Sequence, residues 1–104
     1  MRIENMEIKK CNTLDEARIE IDAVDKEIVE LIAKRNEYIK QIAHFKTSIE
    51  EVKAEDRISD VISAVRQQAI ELDLSPNLIN DLYVRMIDGM VESEISEFRN
   101  AKGL

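Results

Sequence analysis

The sequence predicts an all-α chain of three helices, one of them very long, that forms an intertwined helical homodimer. Composition is the first reason. Two Gly, one Pro, two Phe, two Tyr and no Trp accompany a charged fraction of 36%, the balance of long helices rather than of sheets with frequent turns. A seam of apolar residues is the second. Leu14, Ala17, Ile21, Val24, Ile28, Leu31, Arg35, Tyr38, Ile42 and Phe45 recur in alternating steps of three and four, with no Gly or Pro between them. The third is length. A helix over about 13–46 is on the order of 50 Å long, whereas a compact domain of this size measures only roughly 33 Å across. One chain cannot cover both ends of such a seam, so a second copy is expected to do so.

The first helix starts at a capping box, in which Thr13 and Glu16 are expected to satisfy each other's exposed amides. Residues 1–12 are expected to be a flexible N-terminal tail, and 13–104 a single helical domain. Thr47 to Lys53 is polar and reads as a connecting loop. A second helix is expected over about Ala54 to Leu72, with Ile58, Val61, Ile62, Val65, Ala69 and Leu72 facing inward. Asp73-Leu74 is a short connection. Ser75 then caps a third helix with Pro76 at its first position, where a missing amide costs nothing. Ile79, Leu82, Tyr83, Met86, Ile87, Met90, Val91, Ile95 and Phe98 form its inner stripe, and it ends near Arg99 to Gly103. Gly89 is expected to permit close backbone packing.

Charge and cysteine content exclude several classes of function. A net charge of −7 argues against a nucleic-acid partner, which needs a cationic surface. The single Cys11 cannot form an internal disulfide, and no apolar run is long enough for a membrane span. A cytoplasmic protein with no membrane partner is expected. His44 has no second His at ligand spacing and reads as a surface or interface residue. No metal and no cofactor are expected.

Two charges fall where a helical bundle keeps apolar side chains. Arg35 interrupts the first seam between Leu31 and Tyr38, and Glu94 lies on the inner stripe of the third helix. An unpaired buried charge costs several kcal/mol, so each needs a partner. They can pair with each other, Arg35 can reach water along its stem, or a polar ligand can sit between them. Lys46 follows Arg35 by about 20° around an ideal helix and roughly 16 Å along it. The two long side chains can therefore grip one small anion. Arg18 lies about 25 Å before Arg35 and roughly 100° around, too far to share a small site within one chain. In an antiparallel dimer it can approach Arg35 and Lys46 of the other copy. Arg57 borders the same region from the start of the second helix. Taken singly, Arg18, Lys46 and Arg57 have the ordinary reading of solvated surface charges.

Taken together, these residues resemble the all-helical chorismate mutase family, which includes the isochorismate pyruvate lyases. Arg18, Ile21-Asp22, Asp25, Arg35 and Lys46 carry the likeness in the first helix. Asp56-Arg57 carries it in the second, and Glu94 falls where the third helix presents Gln or Glu. The likeness spans about 13–100. It implies a homodimer with shared active sites, each taking Arg18 from one chain and Arg35, Lys46, Arg57 and Glu94 from the other. Arg18, Arg35 and Arg57 would bind the two carboxylates of a small dicarboxylate substrate, chorismate or isochorismate. Lys46 and Glu94 would hydrogen-bond the ether oxygen, and Lys46, Glu94 and Arg35 would be the catalytic residues.

The resemblance implies a pericyclic rearrangement of chorismate to prephenate. Two departures bear on that activity. Many mutases carry Asp and Glu near the ring hydroxyl, where this chain has Ala54 and Ile58, a pattern closer to the lyases that release salicylate and pyruvate. Glu94 stands where bacterial mutases more often have Gln, and it would have to be protonated to donate a hydrogen bond. Chorismate mutase is the expected function and isochorismate pyruvate lyase the alternative. A non-enzymatic dimeric helical interaction module is a second alternative. Arg35→Ala separates enzyme from module. An enzyme is expected to lose anion binding at little stability cost, whereas a module gains stability in denaturant titration and has no ligand response to lose.

Overall fold

The structure, a computed structural model, describes residues 6–103. The expected tail therefore lies partly outside it at positions 1–5, as does position 104. The described residues form helices α1 (Leu14–Ala43), α2 (Ile49–Val52), α3 (Glu55–Glu71) and α4 (Pro76–Lys102), and contain no strand. None of the helices is long and apolar enough to cross a membrane.

α1 begins at Thr13, whose hydroxyl accepts a hydrogen bond from the Glu16 amide at 3.1 Å. The returning bond differs from the expected box. The Glu16 carboxylate accepts from the Asn12 amide at 2.8 Å, one residue before the cap. Lys9 pairs with Glu20 at 3.4 Å, so the segment before the cap folds back along the first turns of the helix.

The long helix stops at Ala43 rather than near residue 46. Its last bonds tighten, with the His44, Phe45 and Lys46 amides donating to the carbonyls of Gln41, Ile42 and Ala43. Phe45 leaves the seam and is 83% exposed. The cause lies downstream. Ser48 caps α2 by accepting from the Glu51 amide at 3.2 Å, and the Thr47 hydroxyl and amide both bond the Glu51 carboxylate. Side-chain oxygens that bond the local backbone compete with helix continuation. The stretch read as a loop thus contains a capped helical turn, and Ser48-Ile-Glu-Glu51 is the capping-box pattern that signals it.

α3 closes in a Schellman motif. The Leu74 amide donates to the Ala69 carbonyl at 2.8 Å and the Asp73 amide to Ile70 at 3.2 Å, with Asp73 left-handed at φ 60°. Ser75 then caps α4 through the Leu78 amide, with Pro76 in the first turn, and Gly103 ends the helix at φ 73°. Arg66 of α3 bonds the Pro76 carbonyl at 3.2 Å and Asn77 at 3.3 Å, tying the two helices across the turn.

α4 packs against α1, α2 and α3. Ala43, Val52 and Phe98 form the core cluster, with Ile49, Val91 and Ile95 against it. The core therefore sits where the end of α1, the turn of α2 and the later half of α4 meet. The rest of the α1 seam is uncovered: Leu14, Ile21, Val24, Ile28 and Leu31 are all exposed, as is Leu82 of α4. The radius of gyration is 17.2 Å and the long axis 56 Å, against ~13 Å for a compact chain of this length. Gly89 does not serve close packing within the chain, because a Cβ there would meet nothing within 4 Å.

Asp73 pays a steric penalty for its left-handed backbone that glycine does not. Asp73→Gly is expected to raise stability by about 0.5–1 kcal/mol and Asp73→Val to lower it by at least about 1 kcal/mol, read from urea midpoints.

Candidate active site

Helices α1, α3 and α4, with the last residue of α2 and the turn after α1, line a partly open cavity of about 260 Å³. α1 contributes Arg35, Ile39 and Ile42, and the turn after it contributes Lys46. Val52 and Ala54 also line it, Arg57, Ile58 and Val61 come from α3, and Ile87, Met90, Val91 and Glu94 come from α4. The walls are aliphatic, and all four ionisable groups are among the residues singled out in the sequence. Small-molecule sites have this make-up, an apolar lining with a few placed polar groups.

Arg35 is half-buried. Its Nη1 lies 2.8 Å from the Met90 sulfur, and its guanidinium stands 5.9 Å from the centre of the Tyr83 ring. Neither contact is an anion, so the charge stays available to one. Arg35 also borders a second hollow of about 410 Å³, otherwise lined by Ile28, Leu31, Ile32, Ile79, Leu82, Tyr83 and Met86. Tyr83, placed in the sequence only as core, is thus the neighbour that supports the guanidinium.

Glu94 is 5% exposed, and its Oε2 has no hydrogen-bond partner among the described residues. It does not pair with Arg35, whose nearest polar contact is the Met90 sulfur. Removal from water disfavours the ionised form and raises the Glu94 pKa, while the Lys46 ammonium opposes the rise. The site therefore offers a carboxyl held toward its protonated, donating form beside a cation.

Lys46 sits on the turn, not on a continued helix, and its ammonium donates to the Glu51 carbonyl at 2.9 Å. Arg57 reaches the cavity from the exposed first turn of α3. Arg18 is exposed and is not brought to this cavity by its own chain. Ala54 and Ile58 do line it. His44 lies outside, its Nε2 3.0 Å from Glu97 of α4. The role of the turn was missed in the sequence because Lys46 was read as helical.

Such a cavity can bind a small anion through Arg35, Arg57 and Lys46 and present a proton donor to an oxygen between them. Comparison with known proteins bears on that chemistry. The family described as chorismate mutase type II matches residues 17–95. The isochorismate pyruvate lyase of Pseudomonas aeruginosa is 26% identical over 93 residues, covering 89% of this chain and 92% of that protein.

A stability consequence follows from Glu94. Its folded pKa lies above the ordinary 4.5, so the folded state binds a proton more tightly than the unfolded one. The stability this contributes is fully present below 4.5 and is lost as pH rises through the folded value. Between the two values the loss is about 1.4 kcal/mol per pH unit. Glu94→Gln cannot ionise, so its stability relative to wild type should climb over that window in urea titrations. Parallel pH profiles would show that Glu94 is not protonated by burial.

Proposed function

The chain belongs to the chorismate mutase type II family, and on that premise we propose that it rearranges chorismate to prephenate in the cavity between α1, α3 and α4. The observation that carries the reading is the buried Glu94, whose Oε2 has no hydrogen-bond partner among the described residues, on the same cavity as Arg35, Lys46 and Arg57. In the rearrangement one bond of the enolpyruvyl ether breaks while a carbon–carbon bond forms across the ring. No group is transferred to the protein, so no nucleophile or cofactor is called for. The protein's part is to hold the reactant folded and to stabilise charge on the ether oxygen as its bond to the ring lengthens.

Arg35 and Arg57 hold carboxylates of the substrate, with planar guanidinium forks matched to that shape. Lys46 and protonated Glu94 donate to the ether oxygen, where negative charge develops. Aliphatic walls lower the local dielectric and strengthen each of these interactions. Arg18 enters from a second copy of the chain. Dimerisation is supported by the exposed apolar stripe from Leu14 to Leu31 and by the apolar hollow beside Leu82. An antiparallel second copy covers that stripe and brings its Arg18 toward the first copy's cavity.

Two observations favour a second reading, elimination of pyruvate from isochorismate to leave salicylate. One is the relative from Pseudomonas aeruginosa, which is an isochorismate pyruvate lyase. The other is the presence of Ala54 and Ile58 on the wall, where neither side chain can hold a ring hydroxyl. In that reaction a ring hydrogen moves to the enolpyruvyl methylene carbon as the ether bond breaks, so the same two donors serve the same oxygen.

Incubation with chorismate and with isochorismate, followed by product identification, tests the proposal. Prephenate without salicylate establishes the mutase, and salicylate with pyruvate establishes the lyase. Turnover of neither refutes both and leaves the interaction module. Activity should fall as pH rises through the Glu94 pKa. Glu94→Gln should remove that limb, and an unchanged limb would exclude Glu94 as the donor.

A further inference from the structure

Lys46 has a long flexible stem and stands on a turn, yet the turn is tied down at several points. The Thr47 amide donates to Glu51 Oε2 at 3.0 Å and the Thr47 hydroxyl to Glu51 Oε1 at 2.8 Å. The Glu51 amide donates in turn to the Ser48 hydroxyl at 3.2 Å. Lys46 itself donates to the Glu51 carbonyl at 2.9 Å. The next residue, Val52, is 4% exposed and sits in the core cluster with Ala43 and Phe98. A ring of bonds thus closes from Lys46 through Glu51 and back through Thr47, hung on one buried side chain.

From this geometry we infer that Glu51 is a positioning residue: its carboxylate clamps Thr47 and its carbonyl seats the Lys46 ammonium at the mouth of the cavity. The inference rests on the reading of that cavity as the reaction site. Neither Glu51 nor Thr47 lines the cavity, so both act only through Lys46. The electrostatics agree. The Thr47 bonds hold the Glu51 carboxyl below its ordinary range with a smaller contribution from Lys46, and Lys46 also acts on Glu94. The same ammonium therefore acts on both carboxyls, one of them the buried Glu94. Without the clamp the turn keeps its Val52 anchor but loses the bonds that fix the approach of Lys46. Small displacements of a catalytic group carry large costs in rate.

The test uses the full-length chain. Glu51→Ala removes both bonds to Thr47, Thr47→Val removes one, and Glu51→Gln keeps an acceptor for the amide and gains a donor for the hydroxyl. The exposed neighbour Glu50 supplies a control, Glu50→Ala. The turn is read without reference to activity, by hydrogen exchange of the Thr47 amide and by reductive methylation of Lys46. Both rates should rise about tenfold in Glu51→Ala and stay near wild type in Glu51→Gln and Glu50→Ala. On whichever of chorismate or isochorismate is turned over, Glu51→Ala should lower kcat by about ten- to a hundredfold with KM nearly unchanged. Glu51→Gln should restore it, and Thr47→Val should fall between. Unchanged exchange and methylation in Glu51→Ala overturn the inference. So does a wild-type kcat in that variant once the turn is shown to be released. Failure of the wild-type protein to convert either substrate refutes the functional reading instead, and exchange and methylation then decide the clamp alone.

Discussion

A carboxyl oxygen taken out of water with no bonding partner is costly, and the cavity is lined by a residue that carries one, Oε2 of Glu94. Glu94 lies on the face of α4 that also carries Ile87, Met90, Val91 and Phe98, and it is 5% exposed where it lines the cavity. Burial pushes it toward the neutral acid, while the Lys46 ammonium limits that push. The result is a carboxyl biased toward its neutral form beside a cation, on a largely aliphatic cavity. A carboxylate on the surface would be ionised at neutral pH and could only accept.

Among the described residues, Arg35 and Lys46 have no acidic side chain bonded to their heads. Arg35 faces a thioether and an aromatic ring, which support a guanidinium without neutralising it. Lys46 is seated on a backbone carbonyl, a neutral acceptor. Both side chains line the cavity, in a chain whose net charge is −7. The acidic surplus lies elsewhere, in capping positions such as Glu16 and Glu51 and along solvated helix faces.

The long helix poses the complementary problem. Only its last turns enter the core, and the apolar seam ahead of Arg35 lies open. At ~25 cal/mol for each Å² of apolar surface removed from water, a stripe of this length is a strong driving force for association. The proposed second copy covers that surface and completes the site with Arg18. A shared site and a stable fold would then have one cause, since the helix that is too long for its own core is also the one that carries arginines at both ends of its span.

The alternating steps of the first seam, the Thr13 and Ser75 caps and the scarcity of Gly and Pro determined the helical class and most helix boundaries, because those signals are local and each acts within a turn or two. Arg35 and Glu94 were visible as charges interrupting apolar stripes, since periodicity alone assigns a residue to a face. Tertiary structure decided what each charge meets. Packing of α4 across the end of α1 set Arg35 against Met90 and Tyr83 rather than against Glu94. It also settled where α1 stops. The periodicity continues through Phe45, but the bonds of Thr47 and Ser48 to Glu51 and the burial of Val52 outweigh another turn of helix. A seam records which residues prefer to be covered, whereas the end of the helix and the pairing of its charges depend on the elements that do the covering.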